Sequence, residues 1–210
     1  MRIQNFIQNH VKNVFGVTKK CGRLDVMTED NQKVFIDFGS GPNVDRLIKF
    51  TNEGYYTISV NLDKSMLFKN RGRDKSMSYY ELCTNEFFFF DFSNLNNKCD
   101  NYKADDWHCG AVMEHVEPEK IDGFLQNILN HSKKDFKGNL NIDLTDHKGG
   151  FLHYEDFENP RWSYIKNTLK RDEWYEKVKE FFRIEKYGER FKFKDNQNRP
   201  TALTFTLTRK

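Results

Sequence analysis

"KVFIDFGSGPN", residues 33–43, decides how this chain is read. Its first half, Val34 to Phe38, is a short apolar run broken only by Asp37, and such runs suit a strand buried on both faces. Its second half has almost no side chains. Gly39 and Gly41 let the backbone take positive φ and come close to a ligand. Val44, Leu47, Ile48 and Phe50 follow at helical spacing and stop near Gly54. Strand, glycine turn and helix in that order present a small ligand to backbone N–H groups at the rim of a sheet.

The turn also narrows the ligand. A nicotinamide fingerprint, G-x-G-x-x-G, would place glycine or alanine at position 44, where this chain has Val44. A P-loop would end in Gly-Lys-Ser/Thr, and no such ending follows. What remains is an acid just ahead of two glycines. An acid there repels a pyrophosphate and attracts an ammonium or sulfonium cation.

Outward from the turn, strands and helices alternate. "YYTISVNL" (55–62), "EFFFFDF" (86–92), "DWHCGA" (106–111) and "GNLNIDL" (138–144) read as further strands. Ile121, Phe124, Leu125, Ile128 and Leu129 form a helical stripe with Pro118 near its start. Residues 162–182 read as one long helix, and "RIEKYGERFKF" with "TALTFTLT" closes the chain, Leu203, Phe205 and Leu207 alternating with threonines. This alternation predicts an α/β fold, a mostly parallel sheet with helices on both faces. Ahead of it, Ile3, Phe6, Ile7, Val11, Val14 and Phe15 predict an accessory helix within residues 1–20. A length of 210 residues fits one domain carrying that extra helix.

Composition excludes some classes. The 34 basic against 31 acidic residues leave +3, too small an excess to argue nucleic-acid binding unaided. Cys21, Cys83, Cys99 and Cys109 form no CxxC pair and no zinc spacing, so reduced thiols and no metal are expected. No apolar run approaches a membrane span, and the amino terminus lacks the apolar stretch of a signal peptide. The expectation is a soluble, cytoplasmic protein whose oligomeric state the sequence does not specify.

Asp37-Phe38-Gly39-Ser40-Gly41 resembles the first motif of class I S-adenosylmethionine-dependent methyltransferases. Three further segments match that family in order: "SVNLDKSM" after the second strand, Asp91 after the third, and "CGAVMEHVEPEKIDGFLQNIL" after the fourth. "IDLTDHKGGFLHYEDF" is similar to small bacterial methyltransferases of cell-surface sugar or lipid modification. The resemblance implies a Rossmann-like methyltransferase fold, a seven-stranded sheet whose last strand is antiparallel. It implies S-adenosyl-L-methionine as cofactor, held by Asp37, Gly39, Ser40, Gly41, Asn61, Leu62, Asp91 and Phe92. Two positions depart from the pattern. Asn43 replaces the third glycine, and Asn61 stands where the family places the acid that holds the ribose hydroxyls.

Methyl transfer from a sulfonium needs positioning and, for some acceptors, removal of a proton. Histidine suits that task because its ordinary pKa lies near neutrality. His115 follows the fourth strand, and Asp146-His147 follows the fifth, so the fold would bring them to one rim. These three are the candidate catalytic residues. The family's amino-directed enzymes carry an Asn/Asp-Pro-Pro-aromatic motif where this chain has Gly110-Ala111-Val112, and no basic groove with stacking aromatics is evident. A small-molecule or glycan acceptor methylated at oxygen is therefore expected, with nucleic acid disfavoured. An RNA or protein methyltransferase, motivated by the basic loop at residues 69–75, and a non-catalytic cofactor-binding module remain as alternatives.

Overall fold

A computed structural model of the chain describes residues 32–41, 45–62, 84–99, 102–145, 166–167, 169–191 and 200–210. The chain divides into residues 1–31, where the sequence predicts the accessory helix and which lie outside the described residues, and a unit spanning Gln32–Lys210.

That unit carries a seven-stranded sheet. In chain order its elements are β1 (Val34–Phe38), α1 (Asp45–Asn52), β2 (Tyr56–Asn61), β3 (Glu86–Phe89), β4 (Ala104–Gly110), α2 (Ile121–Asn130), β5 (Ser132–Asp143), α3 (Arg171–Phe181), β6 (Phe182–Arg190) and β7 (Ala202–Arg209). The strand order is β3-β2-β1-β4-β5-β7-β6. β7 runs antiparallel to both of its neighbours, while the pairs from β3 through β5 are parallel. The order reverses between β1 and β4, where such sheets bind ligands at their carboxyl ends.

Side-chain parity on β1 shows what covers each face. Phe35 stacks on Phe50 of α1, with ring centroids 3.8 Å apart. Phe38, of opposite parity, packs against Phe92 at 4.7 Å, and Phe92 meets Phe124 of α2. The two helices thus cover opposite faces. All five β1 residues and all six of β2 are buried, as the sequence predicts for central parallel strands.

The second face holds most of the large aromatics. Trp107 is fully buried between Phe38, Phe136 and Phe182. Its indole lies over Gly138, its register partner on β5, where a Cβ would come within 2.1 Å of the ring. Among the described residues no helix is long and apolar enough to cross a membrane.

Two element readings need correction. β5 begins at Ser132, six residues before the expected Gly138, because only His131 separates it from α2. Its first half reads "SKKDFK", where Phe136 and Ser132 point inward and four charged side chains hide the strand pattern. Of the long helix expected over 162–182, the described part is helical over Arg171–Phe181; Lys166, Asn167, Leu169 and Lys170 are not helical, Phe182 already opens β6, and 162–165 and 168 lie outside the described residues. Extended Lys170 caps α3, its backbone N–H donating to Glu173 at 2.7 Å.

Candidate active site

The carboxyl ends of β1, β2, β4 and β5 form a polar shelf on the α1 face. Register places Asp37 beside Ser59 on one side and His108 on the other, so all three emerge on that face. The opposite face of the same strands stays apolar.

The glycine turn opens this shelf. Gly39 has φ +75° and Gly41 φ +54°, values that favour glycine. The two glycines serve different ends. A Cβ on Gly39 would sit 2.3 Å from Cγ2 of Val112, so this residue admits the loop that follows β4. Among the described residues, a Cβ on Gly41 would meet nothing nearer than the Gly39 carbonyl oxygen at 4.0 Å. Toward those residues Gly41 therefore faces open space.

Asn61 ties the turn to β2. Its Oδ1 accepts from the Gly41 N–H at 2.9 Å, and its Nδ2 donates to Ser59 Oγ at 2.9 Å and Ser40 Oγ at 3.1 Å. The two hydroxyls are themselves 2.6 Å apart. Asn61 is buried, and Leu62 beyond it is 63% exposed. Ser40 thus joins the turn's own fastening.

Asp37 is buried and paired on both oxygens. His108 Nδ1 lies 3.0 Å from its Oδ1, and Arg46 Nη1 of α1 lies 3.5 Å from its Oδ2. Asn141 Nδ2 reaches the other ring nitrogen of His108 at 3.0 Å. Gly110 makes room for this imidazole, since a Cβ there would fall 2.4 Å from its Cε1. Beside it, burial pushes the Cys109 thiol well up, with the Asp37 and Glu114 charges adding, so this cysteine is an inert core residue.

Asp91 follows β3 and is partly exposed. Burial raises its pKa, but hydrogen bonds from the Ser93 hydroxyl and backbone N–H, then the Lys120 charge, outweigh it. The carboxyl ionises below its ordinary value and stands as an acceptor. The Phe92 side chain is core, 4% exposed and packed on Phe38, Phe90, Phe124 and His131, which leaves its backbone as the part nearest any ligand.

His115 ends a 3-10 turn, Met113–His115, just beyond β4. Its side chain is 34% exposed, with Nε2 3.9 Å from the Oε1 of buried Glu114. The Glu114 carbonyl accepts from the N–H groups of Lys166 and Asn167, which pins the later segment against this turn. Ala111, at φ +55°, is the one non-glycine among the described residues in the left-handed region, at the bend between β4 and that turn. Asp146 and His147 lie outside the described residues, as does the basic loop at 69–75. Among the described residues no three His, Cys, Asp or Glu side chains gather to hold a metal ion.

A polar shelf thus lies at the strand-order reversal, where open α/β sheets bind ligands, with a glycine turn in front of it. Solved structures share the fold. The chain is similar to a S-adenosylmethionine-dependent methyltransferase from Clostridium acetobutylicum, at 13% identity over 97% of this chain and 89% of that one, with a TM-score of 0.59. A TehB-like SAM-dependent methyltransferase from Corynebacterium glutamicum is 14% identical over 99% and 97% of the two chains, TM-score 0.56. The glycopeptide N-methyltransferase MtfA, solved in complex with S-adenosylmethionine, is 12% identical over 87% and 90%, TM-score 0.54. No family model and no curated protein matches the chain. The fold is the Rossmann-like methyltransferase fold.

Four side chains of the shelf escape a reading of the sequence: Arg46, Ser59, His108 and Asn141. The available signal was polarity out of place. His108 interrupts "DWHCGA" and Asn141 interrupts "GNLNIDL", each on a strand that burial should keep apolar.

Proposed function

We propose that the protein is a S-adenosylmethionine-dependent methyltransferase acting at an oxygen of a small-molecule or glycan acceptor. The observation that carries the reading is Gly41, a positive-φ glycine at the β1 end whose missing side chain leaves room, among the described residues, for a nucleoside. The other residues fit that ligand. Exposed Leu62 offers an apolar surface at the β2 end, and ionised Asp91 offers an acceptor for an exocyclic amino group at the β3 end.

When bound, the cofactor supplies an electron-poor methyl group on a sulfonium. The protein's own work is to hold the acceptor in line and to take its proton. His115 is the described residue suited to that role: Nδ1, the ring nitrogen other than the one facing Glu114, would accept the hydroxyl proton as the oxygen takes the methyl from sulfur, with the Glu114 carboxylate, 3.9 Å from Nε2, steadying the imidazolium. Asp146 and His147, following β5 in the sequence, are proposed as a second acid-base pair on the same rim. MtfA is named for transfer to nitrogen, so the oxygen assignment rests on His115 and not on that neighbour.

Calorimetric titration with S-adenosylmethionine tests the proposal. The wild-type chain is expected to bind below millimolar concentration, and Gly41→Val to lose binding while still unfolding cooperatively, at a melting temperature lowered by a left-handed backbone strain of about 1–2 kcal/mol. Absence of wild-type binding at millimolar cofactor ends the reading. A second reading, a cofactor-binding module without turnover, draws on Asn61, whose amide is engaged at both ends within the turn. Binding with no methyl transfer to any of a panel of hydroxyl acceptors would favour it.

A further inference from the structure

Four side chains on four elements form one line of contacts. Asn141 of β5 donates to His108 Nε2 of β4, His108 meets Asp37 Oδ1 of β1, and Asp37 Oδ2 meets Arg46 of α1. An imidazole whose Nε2 accepts from an amide carries its proton on Nδ1, so His108 donates to the carboxylate. Asp37 and His108 have side chains 1% and 9% exposed, whereas the Arg46 side chain is 35% exposed. A carboxylate so enclosed does not itself meet a ligand. Its charge reaches solvent only as the orientation it imposes on the Arg46 guanidinium.

The charge presented beside the glycine turn is therefore positive. We propose that Arg46, aimed by the Asn141–His108–Asp37 line, is a specificity-determining residue that takes the α-carboxylate at the amino-acid end of the cofactor. The inference rests on the reading of the turn as a S-adenosylmethionine site. A guanidinium has five donors, and the contact with Asp37 occupies one of them. Its planar fork matches a carboxylate, and a fixed carboxylate behind it lowers the cost of holding that fork in place. His108 and Asn141 act through Asp37 and are positioning residues.

Two nucleosides separate the amino-acid end from the rest. S-adenosylhomocysteine carries the carboxylate, and 5′-methylthioadenosine lacks the whole amino-acid group. Calorimetric affinities of both are measured for the wild-type chain, Arg46→Met, His108→Leu and His108→Asn, with melting temperature recorded for each. Arg46→Met is expected to weaken S-adenosylhomocysteine about tenfold or more and to leave methylthioadenosine unchanged. His108→Leu is expected to weaken S-adenosylhomocysteine severalfold. His108→Asn keeps an amide N–H near the Nδ1 position and is expected to recover most of that loss. Arg46→Met binding S-adenosylhomocysteine as well as or better than wild type, or losing both nucleosides alike, overturns the proposal. Equal affinities for His108→Leu and His108→Asn overturn the positioning role. A wild-type chain that binds neither nucleoside refutes the cofactor reading itself, before any variant is compared.

Discussion

At the scale of single residues, the turn works because each buried polar atom on the shelf has a named partner. Asp37 brings a charge into the interior, which costs several kcal/mol unless it is paired and hydrogen-bonded. Arg46 supplies the opposite charge and His108 a hydrogen bond. Of the two turn glycines, Gly39 has the less room to change. Alanine there would combine a left-handed backbone with overlap on Val112, so Gly39→Ala is expected to destabilise the fold by about 2–5 kcal/mol in urea denaturation. Adding Val112→Ala should recover part of that loss, since it removes the overlap and leaves only the backbone strain. Both glycines were legible in the sequence as a tight turn, but their separate duties were not. Spacing says that φ will be positive; it does not say which missing side chain faces Val112 and which faces open space. Asn61 likewise reads in the sequence only as the residue at the ribose-holding position; that its amide also fastens Gly41 and Ser40 shows only in the structure.

At the scale of elements, β4 joins the two faces of the sheet. Its His108 belongs to the polar shelf, while Trp107 beside it fills the opposite core. Trp107→Ala would remove the ring around which Phe38, Phe136 and Phe182 pack, and is expected to cost about 3–5 kcal/mol by thermal or chemical melting. A smaller loss would mean that those rings collapse into the space. Most strands and both apolar helix stripes could be read directly, because central parallel strands and amphipathic helices leave clean periodicities. The start of β5 could not. Four of its first six residues are charged and exposed, and a one-residue connection from α2 gives no turn signal. The non-helical residues just before Arg171 have a related cause: apolar residues in the sequence run on from the helix pattern, while Lys166 and Asn167 are held by backbone contact to the Glu114 carbonyl.

At the scale of the whole molecule, one buried imidazole sets an acid limit on stability. His131 links α2 to β5, its Nδ1 at 2.8 Å from the Asn127 carbonyl and its Nε2 accepting from the Cys99 N–H. Burial lowers its pKa from 6.5, the Asn127 carbonyl opposes the shift, and Lys103 and Lys98 add to the lowering. The folded state therefore favours neutral His131. Its contribution is complete above pH 6.5 and is lost as pH falls through the lowered folded value, because the unfolded chain takes the proton first. Urea denaturation at stepped pH should show stability declining below about pH 6.5, with a shallower decline in His131→Gln. The antiparallel β7 has a different kind of consequence. It lies between β5 and β6, yet it is made after both. During synthesis the two earlier strands have no partner in common until residues 202–209 leave the ribosome and slot between them. Vectorial folding can complete the half that carries the glycine turn first, and the far half closes like a zip whose slider arrives last.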